Sequence, residues 1–363
     1  YLPAFEAGIA EAKAEIDAIV ANQEEPTFEN TIEAMEYAGE TLNRVANVFY
    51  NLMEANTNDE MQQIAEQISP MLNEYSMYVS LNADLFAKVK SVYEKKDELG
   101  LEKDQLKLLE DNYKSFVRGG ANLSDEDKEL YSKWSEELSL ASLQFSKNVL
   151  AATNAYTLHI TDSADLAGLP EFVKTMAAET ASEKGLEGWA FTLDAPSYSP
   201  FLKYSEVRNL RKDMWTAYNT RAIGGEFDNT EVVKKIVDLR IRIANILGYE
   251  TYADYALEER MAKDKATVNG FIKELLEPSM EFAKKDVADV YAFAKKNGFE
   301  DSQLMPWDFS YWSEKYQQAE YSLSAEELKP YFQLESCIDA VLGLASRLYG
   351  ISFTELDNVP VYH

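Results

Sequence analysis

WAFTLDAPSYSPFLKYSEVRNLRKDMWTAYNTR, residues 189–221, changes structural period and charge sign within one stretch, and its reading decides the fold class. Behind Gly185 and Gly188, the apolar and aromatic run from Trp189 to Leu193 has strand character. Pro196 and Pro200 then oppose both a regular helix and a central strand, so the expectation is a strand leading into a fixed, extended loop. From Ser205 the spacing turns helical, with Val207, Leu210, Met214, Trp215 and Tyr218 on one stripe. Arg208, Arg211, Lys212 and Arg221 accompany that stripe, a basic island in an acidic chain. Two readings stay open for it: arginines paired with neighbouring carboxylates, or a helix that lines a groove.

Outward on the N-terminal side the pattern is helical. Phe5, Ile9, Ala12, Ile16 and Ile19 hold helical spacing until Glu25 and Pro26. A second, longer helix starts at Thr27, buries Ile32, Met35, Leu42, Val45, Val48, Phe49 and Leu52, and ends at Asn56. Thr57 with Glu60 reads as a capping box for the next helix, which Pro70 is expected to kink. Further helices run to Gly100, from Glu102 to Arg118, and from Ser124, boxed with Asp127, to about Asn148. Tyr156 to Ile160 then reads as a strand, Asp162 to Pro170 as a turn and Glu171 to Glu183 as a helix, so Trp189 to Leu193 is the second strand of a small insert. Two strands alone are marginal in water and need helices to pack against.

Downstream, Asp228 and Asn229 open a helix that Gly248 stops, and Thr251 with Asp254 caps another. Asp264 to Asn297 is a long amphipathic stretch, Pro306-Trp307-Asp308 opens an aromatic helix, Ser324 with Glu327 caps again, and an apolar helix ends at Gly350. The fold class is therefore mainly α, multi-helical with a small two-stranded α/β insert. Its expected divisions are a helical domain at 1–148, the insert at 149–203 and a second helical domain at 204–363.

Composition narrows the function. The chain has 363 residues, 46% hydrophobic, with 35 basic against 63 acidic residues and a formal net charge of −28. Such a field repels nucleic-acid phosphates and anionic lipid, and no apolar run approaches a membrane span, so neither nucleic acid nor membrane is an expected partner. The single cysteine, Cys337, lies on an apolar helical stripe and reads as a buried, inert thiol. Tyr1 in place of methionine and the abrupt strand-like VPVYH at 359–363 are read as the edges of a fragment. The expected compartment is the cytoplasm, with the periplasm open.

Catalytic zinc calls for spaced histidines, and the chain has two, His159 in a strand and His363 at the end. Nucleophile elbows, Walker loops and dinucleotide fingerprints are also missing from the sequence. On motifs alone the chain carries no catalytic centre.

Several segments in order nevertheless resemble one family. YLPAFEAGI at 1–9, PTFENTIEAME at 26–36, NVLAATNAYTLHITDSADLAGLP at 148–170 and the stretch 191–221 are joined by ANILGYETYADYALEERMAK at 244–263, the run from Pro306 to Phe353, and VPVYH. Together they resemble the zinc metallopeptidases of the thimet-oligopeptidase family, most closely its bacterial peptidyl-dipeptidase (dipeptidyl carboxypeptidase) branch. The resemblance implies a mostly helical, two-lobed cleft enzyme that attacks peptide carbonyls with zinc-assisted water and releases C-terminal dipeptides from short peptides. It also implies that the H-E-x-x-H zinc helix lies beyond VPVYH. This chain would then be a non-catalytic wall and lid, inactive alone and without metal of its own, with the catalytic portion as its partner. The alternatives are an oligopeptidase that cuts internally and a stand-alone helical interaction module.

An enzyme that counts from a free C-terminus needs a cation for that carboxylate, and an arginine fork suits it. The candidates are Arg260, in LEERMAK at a helix end, and Arg221 beside Tyr218. For Arg260 an ion pair with an adjacent glutamate is the competing reading.

Overall fold

A computed structural model describes residues 1–322 and 325–359. In chain order it forms α1 Leu2–Ala21, a π-helical turn Phe28–Glu33, α2 Ala34–Tyr37, α3 Glu40–Ala55, α4 Asp59–Ser80, α5 Ala83–Glu94, α6 Lys103–Arg118 and α7 Asp125–Ala155. β1 Leu158–Ile160, a 3-10 turn Ser163–Leu166, α8 Glu171–Glu183 and β2 Trp189–Phe191 follow, then α9 Ala195–Tyr204 and α10 Arg208–Asn219. α11 Thr230–Ile246, α12 Tyr252–Leu257, α13 Lys265–Lys296, α14 Pro306–Tyr321, α15 Ala325–Leu328 and α16 Leu334–Tyr349 complete it. The fold is mainly α with a small antiparallel two-stranded sheet, as the sequence predicts.

The chain divides into two compact units, one built from 1–150 and 222–271, the other from 151–221 and 272–363. In the first, α1 lies on α3 and α4 around Phe5, Ile9, Leu42, Phe49 and Ile68. A second core there joins Ile16, Ile32, Leu85, Val89, Leu109 and Phe116, with α5 against α6. Each such fully buried side chain contributes roughly 1.5–3 kcal/mol. The predicted second helix is in fact broken: Gly39 takes φ +80 between α2 and α3. Its N–H donates to Glu15 at 2.7 Å, so the break is anchored on α1. Within α3 itself Leu42 and Phe49 are buried while Val48, expected on the same face, is exposed. α4 starts one residue later than the Thr57 reading placed it. Asn58 caps it instead, its Oδ1 accepting from the Met61 N–H at 2.9 Å, and α4 is assigned as one helix through Pro70.

In the second unit, β1 and β2 pair Leu158 with Phe191, His159 with Ala190 and Ile160 with Trp189. Ile160, Val173, Phe191, Phe201 and Met214 form the core beneath, with Phe191 and Phe201 edge to face at 4.7 Å. The expected extended loop after β2 is instead the helix α9. Pro196 sits in its first turn, where amide donors have no intrahelical partner to lose, and Pro200 removes a single bond from a helix whose Phe201 and Leu202 are buried. Burial outweighs that missing bond.

Gly188 fixes the entry to β2. It takes φ +89, and a Cβ there would stand 2.4 Å from the Ile160 carbonyl oxygen. Gly185, at φ +68, has open space around it. Gly188→Ala is therefore expected to lower the unfolding free energy by about 3 kcal/mol, strain and clash together, and Gly185→Ala by only about 1 kcal/mol. Urea titration of both variants checks this, and equal losses would count against backbone approach as the cause.

Candidate functional site

α10 begins the basic island, and its cations divide into two groups. Asp308, the third residue of α14, is 0% exposed and Arg211 is 2% exposed. Arg208 grips Asp308 with two bonds, Nε to Oδ1 at 2.8 Å and Nη2 to Oδ2 at 2.7 Å, while Arg211 Nη2 reaches Oδ1 at 3.1 Å. Arg211 also donates to the Trp307 carbonyl at 3.0 Å and the Ser205 carbonyl at 2.8 Å, with its guanidinium 4.2 Å from the Tyr311 ring centroid. The Met305 N–H gives Asp308 Oδ2 a further bond at 3.1 Å. Burial alone pushes the Asp308 carboxyl up, but the Arg208 hydrogen bonds, the Met305 N–H and the Arg208 charge outweigh it and hold the group below the ordinary aspartate range. Arg208 is raised by the same pairing, against its own desolvation. For these two arginines the paired-carboxylate reading is correct: they clamp α10 to α14.

Arg221 is different. Its guanidinium stands 3.9 Å from the Tyr218 ring centroid, and Tyr218 stacks on Tyr198 with centroids 4.2 Å apart. Among the described residues no carboxylate pairs with Arg221. The structure thus brings two of the sequence candidates, Arg221 and Tyr218, together as a cation on an aromatic platform.

Arg260 belongs to the other unit and is described with it. It follows α12, whose start is boxed by Thr251 and Asp254 at 3.0 and 3.3 Å. The adjacent glutamates are already engaged from α6. Arg118 pairs with Glu258 and donates to the Tyr255 carbonyl at 2.8 Å, its guanidinium 4.4 Å from the Tyr255 ring centroid, while Lys114 reaches Glu259 at 3.4 Å. Tyr249 adds a hydroxyl bond to Glu258 at 2.5 Å. Arg260 itself is exposed and makes no ion pair among the described residues, and beyond it Met261 is 99% exposed and Lys263 takes φ +67. The competing reading for Arg260, a pair with a neighbouring glutamate, is not what forms. Nothing in the local sequence signals Arg118 as the residue that holds this turn.

His159 is exposed in β1, its Nε2 2.6 Å from the Glu187 carbonyl, and His363 lies outside the described residues, as does the Ser324 cap. Among the described residues no group of three histidine, cysteine, aspartate or glutamate side chains is placed to hold a metal ion, so these residues do not fit a zinc site. Cys337 is partly exposed in α16 and not buried as the stripe predicts. The reason is that the stripe itself, Leu334, Ile338, Val341, Leu344 and Leu348, is exposed along the whole helix. No helix is long and apolar enough to cross a membrane among the described residues.

Comparison with known proteins gives this geometry a setting. The Peptidase family M3 model matches residues 201–363, which take in α10, α12 and α14. The chain is 34% identical over 368 residues to a dipeptidyl carboxypeptidase of Escherichia coli, covering 100% of this chain and 54% of that protein. It is 33% identical over 367 residues to oligopeptidase A of Salmonella typhimurium, again over 100% of this chain and 54% of the relative. Saccharolysin of Saccharomyces cerevisiae matches at 25% over 94% of the chain and 48% of its own length. The chain spans about half the length of the curated relatives it matches.

Proposed function

From the premise that this chain belongs to the thimet-oligopeptidase family of peptidases, we propose that it forms a wall and lid of the substrate cleft in a zinc metallopeptidase acting on short peptides. In this reading zinc, which polarises the scissile carbonyl, is held by residues within the half of the relatives' length that this chain does not span. The residues described here bind and orient. Arg260 and the Arg221–Tyr218 pair are among the cations without a carboxylate partner among the described residues, in a chain of net charge −28, and are arginines that can meet a peptide carboxylate with a fork. That freedom is the observation that carries the proposal. The exposed apolar stripe on α16 supports it further, because such rows mark interfaces, and the unspanned half is its fitting cover.

Release of C-terminal dipeptides is favoured by the dipeptidyl carboxypeptidase relative, and internal cleavage by the oligopeptidase A relative at nearly equal identity. One experiment separates them. The zinc-loaded whole protein is incubated with one short peptide in free-acid and amidated forms, and the products are read by mass spectrometry. Dipeptides from the free acid alone support the first reading; internal cuts in both forms support the second. No cleavage of either, with zinc bound, would defeat both and leave a helical interaction module. Residues 1–363 alone are expected to release no product under the same conditions.

A further inference from the structure

α13 is an amphipathic helix whose apolar face is covered at one end only. Ile272, Leu276, Ala283, Val287, Val290 and Ala294 fall in one helical row, with Leu275, Met280 and Phe282 beside it. Lys273, Glu277, Glu281 and Lys284 take the opposite side, and Ser279 and Asp286 interrupt the apolar face. At the C-terminal end the row is core: Val290 and Ala294 are 4% and 0% exposed, and Phe293 meets Tyr316 of α14 with ring centroids 5.4 Å apart. Toward the N-terminus the same row runs out of cover, and every residue from 272 to 288 is exposed. Leu276 is 52% and Phe282 70% exposed. Little else holds this length of helix. Pro278 sits inside it with no N–H for the Glu274 carbonyl, and its ion pairs are on the surface, Lys273 with Glu277 at 3.7 Å and Lys285 with Asp289 at 2.6 Å. Helices in proteins owe most of their stability to packing of the apolar face, so this one needs a cover.

We infer that residues 272–287 of α13 dock against the half of the relatives' length that this chain does not span, as a second contact beside the one assigned to α16. The inference rests on the reading in which that half completes the protein. Three observations choose this occupant. The whole of this chain matches 54% of each of two relatives, so in them a portion of nearly equal size accompanies it. The exposed row continues a face already buried at Val290 and Ala294, as the interior of one protein does. A second copy would bring a charge of −28 against −28, which opposes association. Within its own unit α13 passes the docking on. Its C-terminal end packs on α14, and Asp308 of α14 holds Arg208 and Arg211 of α10, the helix that precedes Arg221. Docking at 272–287 therefore sets where the Arg221–Tyr218 pair stands relative to the zinc-bearing half.

Hydrogen exchange read by mass spectrometry, on the whole protein and on the 1–363 chain, tests this. Amides of 272–287 are expected to exchange about a hundredfold slower in the whole protein than in the dilute 1–363 chain. Leu276→Asp should remove most of that protection and lower the melting temperature of the whole protein, while leaving that of the 1–363 chain unchanged. Lys284→Gln, on the opposite side of α13, should change neither. Fast exchange of 272–287 in the whole protein, or full protection in the dilute chain, would overturn the docking. Protection of the chain that grows with its concentration would overturn it too, since the cover would then be a second copy. Peptide cleavage measured on the same whole-protein sample keeps the two readings apart. Cleavage with 272–287 unprotected sinks the docking and spares the peptidase; protection without cleavage does the reverse.

Discussion

Asp308→Ala is expected to destabilise the second unit by roughly 3–5 kcal/mol, because it leaves Arg211 charged and 2% exposed with no counter-ion. The same substitution strips the Met305 N–H of its acceptor and frees both guanidinium bonds of Arg208. Arg208→Ala should cost less, since Arg208 is 38% exposed and its loss leaves Asp308 with Arg211 and the Met305 N–H. Asp308→Asn keeps the shape and an acceptor and should fall between the two. Urea unfolding followed by tryptophan fluorescence is the measurement, because Trp215 and Trp307 pack edge to face at 5.6 Å beside the clamp. The pH dependence has a definite sign. The Asp308 carboxyl titrates lower in the folded chain than in the unfolded one, so its contribution is complete above the ordinary aspartate pKa of about 4. It fades as pH falls from there through the depressed value. A loss under 1 kcal/mol for Asp308→Ala, or an acid limb unchanged by it, would show that the clamp is not what ties α10 to α14.

Local sequence reached much of this fold, and its failures share one cause. α8 was legible to its end residues, and the Ser124 cap on the Asp127 N–H and the Thr251–Asp254 capping box formed where their spacing predicts, because each is settled within four residues. The break at Gly39 was missed because apolar spacing runs on across it, and the left-handed turn is held by Glu15, far away in sequence. α9 was missed because proline rules weigh lost backbone bonds and not the burial of Phe201. In the candidate site the same limit decides which arginines are free. Asp308 sits 97 residues from Arg211, and Arg118 sits 140 residues from Glu258, so neither pairing leaves a trace in local periodicity. The sequence names the cations; only tertiary pairing sorts clamps from candidates. The exposed stripe on α16 is the converse case, where periodicity correctly predicts a helix face but not whether anything covers it.

In the whole protein, Arg260→Ala is expected to lower kcat/KM for free-acid peptides about ten- to hundredfold. Losing a charge-assisted contact from a closed cleft costs about 1.5 to 3 kcal/mol, which converts to that range. The effect should fall on KM, because a terminal carboxylate is gripped in ground state and transition state alike. Amidated peptides, which lack that charge, should be hydrolysed at unchanged rates. Arg260→Lys keeps the charge but loses the two-pronged fork, so an intermediate loss is expected. Arg118 and Lys114 engage the adjacent Glu258 and Glu259, which leaves Arg260 without a carboxylate partner among the described residues. Arg118→Ala should therefore act on the same peptides indirectly, by freeing Glu258 to compete for Arg260. Arg221→Ala is the comparison, its guanidinium resting on Tyr218 in the other unit. A free-acid defect in Arg221→Ala with none in Arg260→Ala would move the carboxylate contact there, and equal losses on free-acid and amidated peptides would make Arg260 a structural residue of its turn.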